Sequence, residues 1–267
     1  MVVPQSFRLI EGISLSGVGL HGGQASHVRI EPGRPGRGIF LNDEPVCPGR
    51  IMDTRWATTL RTQSGPVSTT EHLFAALAGA GLWDVEITVM GAEIPILDGS
   101  AARWYQVLEE RRVPTSAPHR PLVLTAPIRV ECGASWISAV PYDGFRMAVT
   151  IQYPKLDERT IVGGIDAFQM FMSARTFGFR ADHGQLLRLG LAQAASLENT
   201  LVLDEASMPL NPGPMFWRDE MVAHKWLDLL GDLAQLGRPL HADISAYRPG
   251  HELNHRLCLA LDTVLAT

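Results

Sequence analysis

Apolar and polar residues alternate, or run apolar with β-branched and aromatic side chains, in FRLIEGISLSG, ASHVRIEP and WDVEITVM in the first half of the chain. RPLVLTAPIRVEC, SWISAVPY and FRMAVTIQY do the same in the second half. This is the pattern of strands that bury one face. Four other stretches, STTEHLFAALAGAG, AARWYQVLEERR, DEMVAHKWLDLLGDLAQLG and LNHRLCLALDTVLA, predict helices with an apolar stripe. Strands and helices do not alternate one for one, which favours α+β layers over a doubly wound sheet. Between the halves, RRVPTSAPHRP (111–121) carries Pro114, Pro118 and Pro121 among polar residues and predicts a linker. Each side of it opens with strands and carries helices. Two similar α+β domains are therefore expected, 1–116 and 117–267, each a β-sheet layer packed on helices.

Composition narrows the function classes. The 267 residues are 46% hydrophobic and 19% charged, enough for a substantial core. The formal charge of −5, with no Lys/Arg run to neutralise phosphates, excludes a nucleic-acid partner. Cys47, Cys132 and Cys258 lie far apart and are odd in number, which predicts reduced thiols and a cytoplasmic setting. The N-terminus MVVPQSFRLI has no secretory pattern, and no apolar run is long enough to span a bilayer.

Four motifs carry candidate chemistry. GVGLHGG (17–23) spaces Gly17, Gly19 and Gly22 as G-x-G-x-x-G. A dinucleotide site needs a helix next, with its N-terminus at the pyrophosphate. QASHVRIEP alternates like a strand instead, so a tight hairpin with positive-φ glycines is the better reading, with His21 on the turn. In STTEHLFAAL (68–77), Ser68 and Glu71 spell a capping box ahead of an apolar run. Glu71 and His72 then either sit at the surface or project into a cleft, and the spelling leaves both open. In DEMVAHKWLDLLGDL (219–233), His224, Asp228 and Asp232 recur one turn apart on one helix face, beside a core stripe of Met221, Val222, Leu229, Leu230 and Leu233. Histidine and carboxylate one turn apart suit a metal such as zinc, and equally an i,i+4 charge pair. Finally, His251, Glu252 and His255 in GHELNHRL (250–257) spell the H-E-x-x-H of zinc proteases. That site needs a third ligand, and RLCLALDTVLAT offers only Asp262 in an apolar helix, so a protease is poorly supported.

SGVGLHGG, STTEHLFAALAGAGLWDVEITV, EIPILDGSAA, SARTFGF, DEMVAHKWLDLLGDL and GHELNHRL follow one another in the order and approximate spacing of the UDP-3-O-acyl-N-acetylglucosamine deacetylases, the zinc amidases of lipid A synthesis. The chain resembles that family over nearly its whole length. The resemblance implies an active site between two domains that hydrolyses the N-acetyl group of a UDP-linked acylated amino-sugar. It implies a Zn2+ cofactor held by His72, His224 and Asp228, a general base Glu71, and a general acid His251 oriented by Asp232. Thr176 then looks like the hydroxyl that helps bind the oxyanion, and Phe177 and Phe179 like substrate-contacting aromatics. His21 and Lys225 match positions near the nucleotide diphosphate, and Asp98 and Asp182 match carboxylates beside the site or in the cleft wall. The chemistry agrees: three protein ligands leave one zinc position for water, and an amide nitrogen leaves only when protonated from the opposite side.

The chain also departs from the family. Trp56 and Ala57 stand where a leucine and a small polar residue or cysteine are usual at the site wall. Ala194 and Ala195 replace a Gly-Gly in the part expected to form the acyl-chain passage, Ala223 replaces an arginine, and the segment 39–50 looks short. These departures leave room for a paralogue acting on a different N-acyl sugar, or for a non-catalytic binder of nucleotide-sugar or glycolipid. Contact with a membrane, if any, is expected to be peripheral, through the acyl-chain passage.

Overall fold

The computed structural model describes residues 6–116, 119–153, 157–212 and 219–265 and is α+β. In the first half, the strands Ile13–Val18, Ala25–Pro32, Val85–Met90, Ile39–Leu41 and Glu44–Pro45 lie in that order in one sheet. A smaller sheet joins Ile51–Asp53, Thr59–Thr62 and Gly65–Val67. In the second half the order is Ile128–Cys132, Ser135–Val140, Leu240–Tyr247, Phe145–Ile151 and Arg159–Gly164, with Leu122–Val123 added in parallel to Leu240–Tyr247. Six α-helices are described: α1 (Glu71–Ala80), α2 (Ala102–Glu109), α3 (Phe168–Phe171), α4 (Arg180–Arg188), α5 (Glu220–Ala234) and α6 (His251–Leu265).

The alternating stretches become strands because one face of each is buried. In Ala25–Pro32, for example, Val28 and Ile30 have no exposure while Arg29 faces water. These inward residues, Leu73, Phe74 and Leu77 of α1, and Val222, Trp226 and Leu229 of α5 belong to one continuous apolar cluster. α1 packs directly on α5 at the centre of the molecule. The two backbones meet at Gly231, where a β-carbon would overlap the carbonyl oxygen of Glu71. That close approach puts the first turn of α1 against the middle of α5, and so aligns residues from distant parts of the sequence. No described helix is long and apolar enough to cross a membrane.

Three local expectations are corrected. The stretch expected to be a linker is structured at its start: Arg112–Pro114 pairs antiparallel with Phe7–Leu9, and the Arg112 guanidinium lies 4.0 Å from the centre of the Phe7 ring. Pro114 tolerates this because it ends a two-stranded ribbon. Residues 117 and 118 of that stretch lie outside the described residues. The capping box does not form: α1 begins at Glu71 itself, and the Ser68 hydroxyl accepts from Thr59 Oγ1 at 2.9 Å. In the 17–23 turn, the hairpin is present but only Gly23 has a positive φ, 64°. Gly19 serves a close approach instead.

Candidate active site

The first turn of α1 and three successive turns of α5 converge. His72 Nε2 lies 3.8 Å from Asp228 Oδ1, and His224 Nε2 lies 3.2 Å from the same oxygen. The two imidazoles meet edge to face with ring centres 4.9 Å apart. One ligand atom from each of the three residues falls within 4.8 Å of the others. All three side chains are buried, and Asp228 Oδ1 has no hydrogen-bond partner. The other oxygen, Oδ2, accepts from Lys225 Nζ at 2.6 Å. His224 Nδ1–H donates to the Ala174 carbonyl at 3.0 Å, which leaves Nε2 as a bare lone pair facing Asp228. Burial, reinforced by His224, pushes His72 down to about 3, and burial lowers His224 as well. Burial works against the Asp228 carboxylate, but the neighbouring His224, Lys225 and His251 hold it below its ordinary value. Two neutral imidazoles and one carboxylate with an orphaned buried oxygen are a donor set that could hold a metal ion.

A second cluster adjoins the first at the start of α1. His251 opens α6 directly after Gly250, and its Nε2 lies 3.8 Å from Glu71 Oε1. His251 Nδ1–H donates to Asp232 Oδ2 at 2.9 Å. Asp232 is fully engaged: Asn254 Nδ2 donates to Oδ2 at 2.8 Å, and the Thr58 hydroxyl donates to Oδ1 at 2.6 Å. Thr58 also gives its backbone N–H to Glu71 Oε2 at 3.1 Å. Burial raises Glu71 to about 7, against the pull of His251. Burial alone would lower His251, but Asp232 first and Glu71 second carry it up to about 9. A carboxyl raised toward neutrality thus sits next to an imidazole raised above it, a pairing that could serve general acid–base chemistry.

Both clusters open into a cavity of about 1110 Å³. His21, Trp56, Thr176, Phe177, Phe179, Asp182 and Lys225 all line it. Thr176 is fixed there by its own N–H to Gly99 O at 2.7 Å and by Leu201 N–H to its carbonyl at 2.8 Å. Phe177–Phe179 pairs in parallel with Leu201–Leu203, and the Phe177 ring stands 6.2 Å from that of His224. Leu186 and Leu189 from α4 and its end, with Ala195, Leu197 and Leu210, make one wing of the wall apolar. Asp98 does not reach this wall: its carboxylate accepts from the Ser100 amide and hydroxyl in the turn before α2. Ala194 is set back from the wall too, its N–H bonded to Leu20 O at 3.1 Å, while Ala195 lines it.

The H-E-x-x-H spelling does not assemble. His255 Nε2–H donates to the Pro48 carbonyl at 3.1 Å, and Glu252 pairs at the surface with Arg256. Sequence reasoning missed Thr58, Asn254, Glu93 and Tyr153. The last packs its ring 5.5 Å from Phe177 and 5.9 Å from Phe179. Asn254 was within reach, since it lies one turn after His251 on α6. Thr58 carries no signal of its own in a polar loop.

This buried His–His–Asp cluster beside a Glu–His pair lies in a chain whose residues 8–263 match the family LpxC, UDP-3-O-acyl N-acetylglycosamine deacetylase. The chain belongs to that family. It is 38% identical over 258 residues to the UDP-3-O-acyl-N-acetylglucosamine deacetylase of Myxococcus xanthus, covering 91% of this chain and 82% of that protein. It is 36% identical over 263 residues to the proteins of the same name from Brucella melitensis and Brucella ovis, covering 93% of this chain and 92% of each.

Proposed function

We propose that this chain is a zinc-dependent deacetylase that hydrolyses the N-acetyl amide of a UDP-linked 3-O-acyl-N-acetylglucosamine, releasing acetate in lipid A biosynthesis, in the cytoplasm. The observation that carries this reading is the convergence of His72, His224 and Asp228 beside the Glu71–His251 pair. Family membership and the names of its relatives supply the substrate.

Zinc held by His72, His224 and Asp228 would supply Lewis acidity at the amide oxygen and bring the attacking water's pKa near 7. Glu71, raised to about 7 by burial, takes that water's proton. His251, kept protonated by Asp232, gives its proton to the amide nitrogen as the C–N bond breaks. Thr176 offers a hydroxyl to the oxyanion from the cavity wall. In this reading His21 and Lys225 lie on the side of the nucleotide diphosphate and Phe177 and Phe179 contact substrate; all four line the cavity, as does Asp182. The apolar wing past α4 takes the acyl chain, and an acyl chain drawn from a lipid surface needs only peripheral contact there. Trp56, 53% exposed on the wall, favours a variant acyl group over a variant reaction.

Acetate release from the UDP-linked acyl N-acetylglucosamine by zinc-loaded protein tests the reading. His224→Ala should lose zinc and activity together, whereas His251→Ala should keep its zinc and lose about 10²–10⁴-fold in kcat. Full zinc occupancy in the His224→Ala protein would overturn the ligand assignment.

A further inference from the structure

We propose that Glu93 is a positioning residue that locks the His21 turn to the start of α1. The inference rests on the reading of His21 as a contact to the nucleotide diphosphate. Glu93 is 8% exposed and pairs with no cation among the described ion pairs. Its carboxylate is spent on two separate pieces of chain. Oε1 accepts the His21 amide at 2.9 Å, and Oε2 accepts the Gly22 amide at 2.9 Å. From the other side, the Thr69 hydroxyl donates to Oε1 at 2.8 Å.

Each piece is shaped for this contact. A β-carbon on Gly19 would overlap the Glu93 carboxylate, so the turn approaches it only as glycine. Thr69 holds a φ of 58°, a left-handed conformation that a β-branched residue adopts rarely and at a cost. Thr69 is buried, and it precedes Thr70, Glu71 and His72 without a gap. Its neighbour Ser68 is pinned beside Glu93 by Ser68 N–H to Ala92 O and Ile94 N–H to Ser68 O, both 2.9 Å. The strained residue ahead of α1 and the turn carrying His21 thus share one anchor. On its far side His21 is held by weaker bonds, Gln193 N–H to its carbonyl at 3.2 Å and Ala192 N–H to its Nδ1 at 3.4 Å. Loss of Glu93 should therefore let the turn move away from the helix that presents Glu71 and His72.

Glu93→Gln isolates the effect. With its oxygen at the Oε2 position the amide keeps the Gly22 bond and only the longer 3.2 Å bond from the His21 N–H, while its NH2 is set against that N–H; the other orientation sets the NH2 against the Gly22 N–H, so the short His21 and Gly22 bonds are never both restored. The experiment measures UDP affinity by titration calorimetry, KM and kcat with the UDP-linked substrate, and zinc content, for the wild type, Glu93→Gln, His21→Ala and the double variant. Glu93→Gln should weaken UDP binding and raise KM about tenfold, with kcat changed much less and zinc retained. In the His21→Ala background it should add little further, because both substitutions remove the same contact. A merely structural role would lower the melting temperature without this non-additivity. Thr69→Val, which keeps the shape and deletes one donor, is the second variant should Glu93→Gln not fold; it should raise KM about threefold with the same non-additivity. Unchanged UDP affinity and KM, or effects that multiply in the double variant, overturn the inference. His21→Ala with native constants overturns the reading of His21 and this inference with it. Absence of acetate release by a wild type whose UDP affinity still depends on Glu93 overturns only the deacetylase reading.

Discussion

Replacing Asp232 by Asn tests the acid assignment at its most exposed point. Asp232 is the largest of the charges that lift His251 from 6.5 to about 9, working against a burial that pulls the other way. The net lift of about 2.5 units corresponds to roughly 3 kcal/mol favouring the imidazolium. Without the carboxylate the largest raising influence is gone, and burial pulls the imidazole down against Glu71 and Asp228 alone. The geometry should survive: the asparagine oxygen still accepts from His251 Nδ1 and Asn254 Nδ2, and its NH2 donates to a Thr58 hydroxyl that turns to accept. The sign follows from the role. An acid works when protonated, so the rate falls as pH rises through the His251 pKa, and Asp232→Asn moves that fall from near pH 9 to lower pH. At pH 7.5 the native imidazole is roughly 97% protonated, and each pH unit by which the variant's pKa falls below 7.5 costs about tenfold in rate before any misorientation is counted. The assay is the pH profile of kcat/KM for acetate release, with zinc content measured on the same samples. A basic limb that stays near pH 9 in the variant, with zinc intact, would show that another group delivers the proton.

Three further outcomes follow from particular contacts. Lys225→Ala frees Asp228 Oδ2 from an ammonium 2.6 Å away, so zinc affinity should fall about tenfold or more by competition with a chelator, and KM should rise; unchanged zinc affinity would show that Lys225 does not orient the ligand. Gly231→Ala puts a β-carbon on the Glu71 carbonyl, which should cost about 1–3 kcal/mol, read as a melting temperature several degrees lower, and reduce kcat because the overlap falls on the base itself. Trp56→Leu at the exposed cavity wall should change stability by less than about 0.5 kcal/mol yet shift the preferred acyl length upward; an unaltered profile across an acyl-length series would remove Trp56 from the passage.

The strand pattern was legible because burial of one sheet face writes a period of two, and the helices because an apolar stripe writes 3.6. The α5 triad was legible for the same reason: His224, Asp228 and Asp232 share a face by spacing alone. What periodicity cannot supply is the partner of that face. Nothing in STTEHLFAAL distinguishes a surface cap from a cleft, and the capping-box reading failed because the helix starts at Glu71 rather than at Ser68. The family resemblance put His72 and Glu71 in place. Thr58 and Glu93 stayed hidden because their roles exist only after the chain has folded: Thr58 reaches Asp232 across 174 positions, and Glu93 reaches His21 across 72. The H-E-x-x-H spelling shows the converse, a local pattern with a familiar meaning that the fold leaves unused, with His255 spent on a loop carbonyl.

The adjacency of Glu71 and His72 explains how one helix start serves both clusters. Successive helical residues point about 100° apart, so His72 meets His224 and Asp228 while Glu71 meets His251. Burial presses both toward their uncharged forms, and that one force has opposite uses. It strips His72 of its proton, down to about 3, which is what a metal ligand needs. It raises Glu71 to about 7, which is what a base working at neutral pH needs. Two neighbouring charges are matched in close pairs, Lys225 with Asp228 and His251 with Asp232. Glu71 accepts the Thr58 N–H, and its nearest cation among the described ion pairs is His251 Nε2 at 3.8 Å. On the proposed reading, a dication held by His72, His224 and Asp228 would add positive charge beside Glu71, favour its ionised form and draw it below about 7.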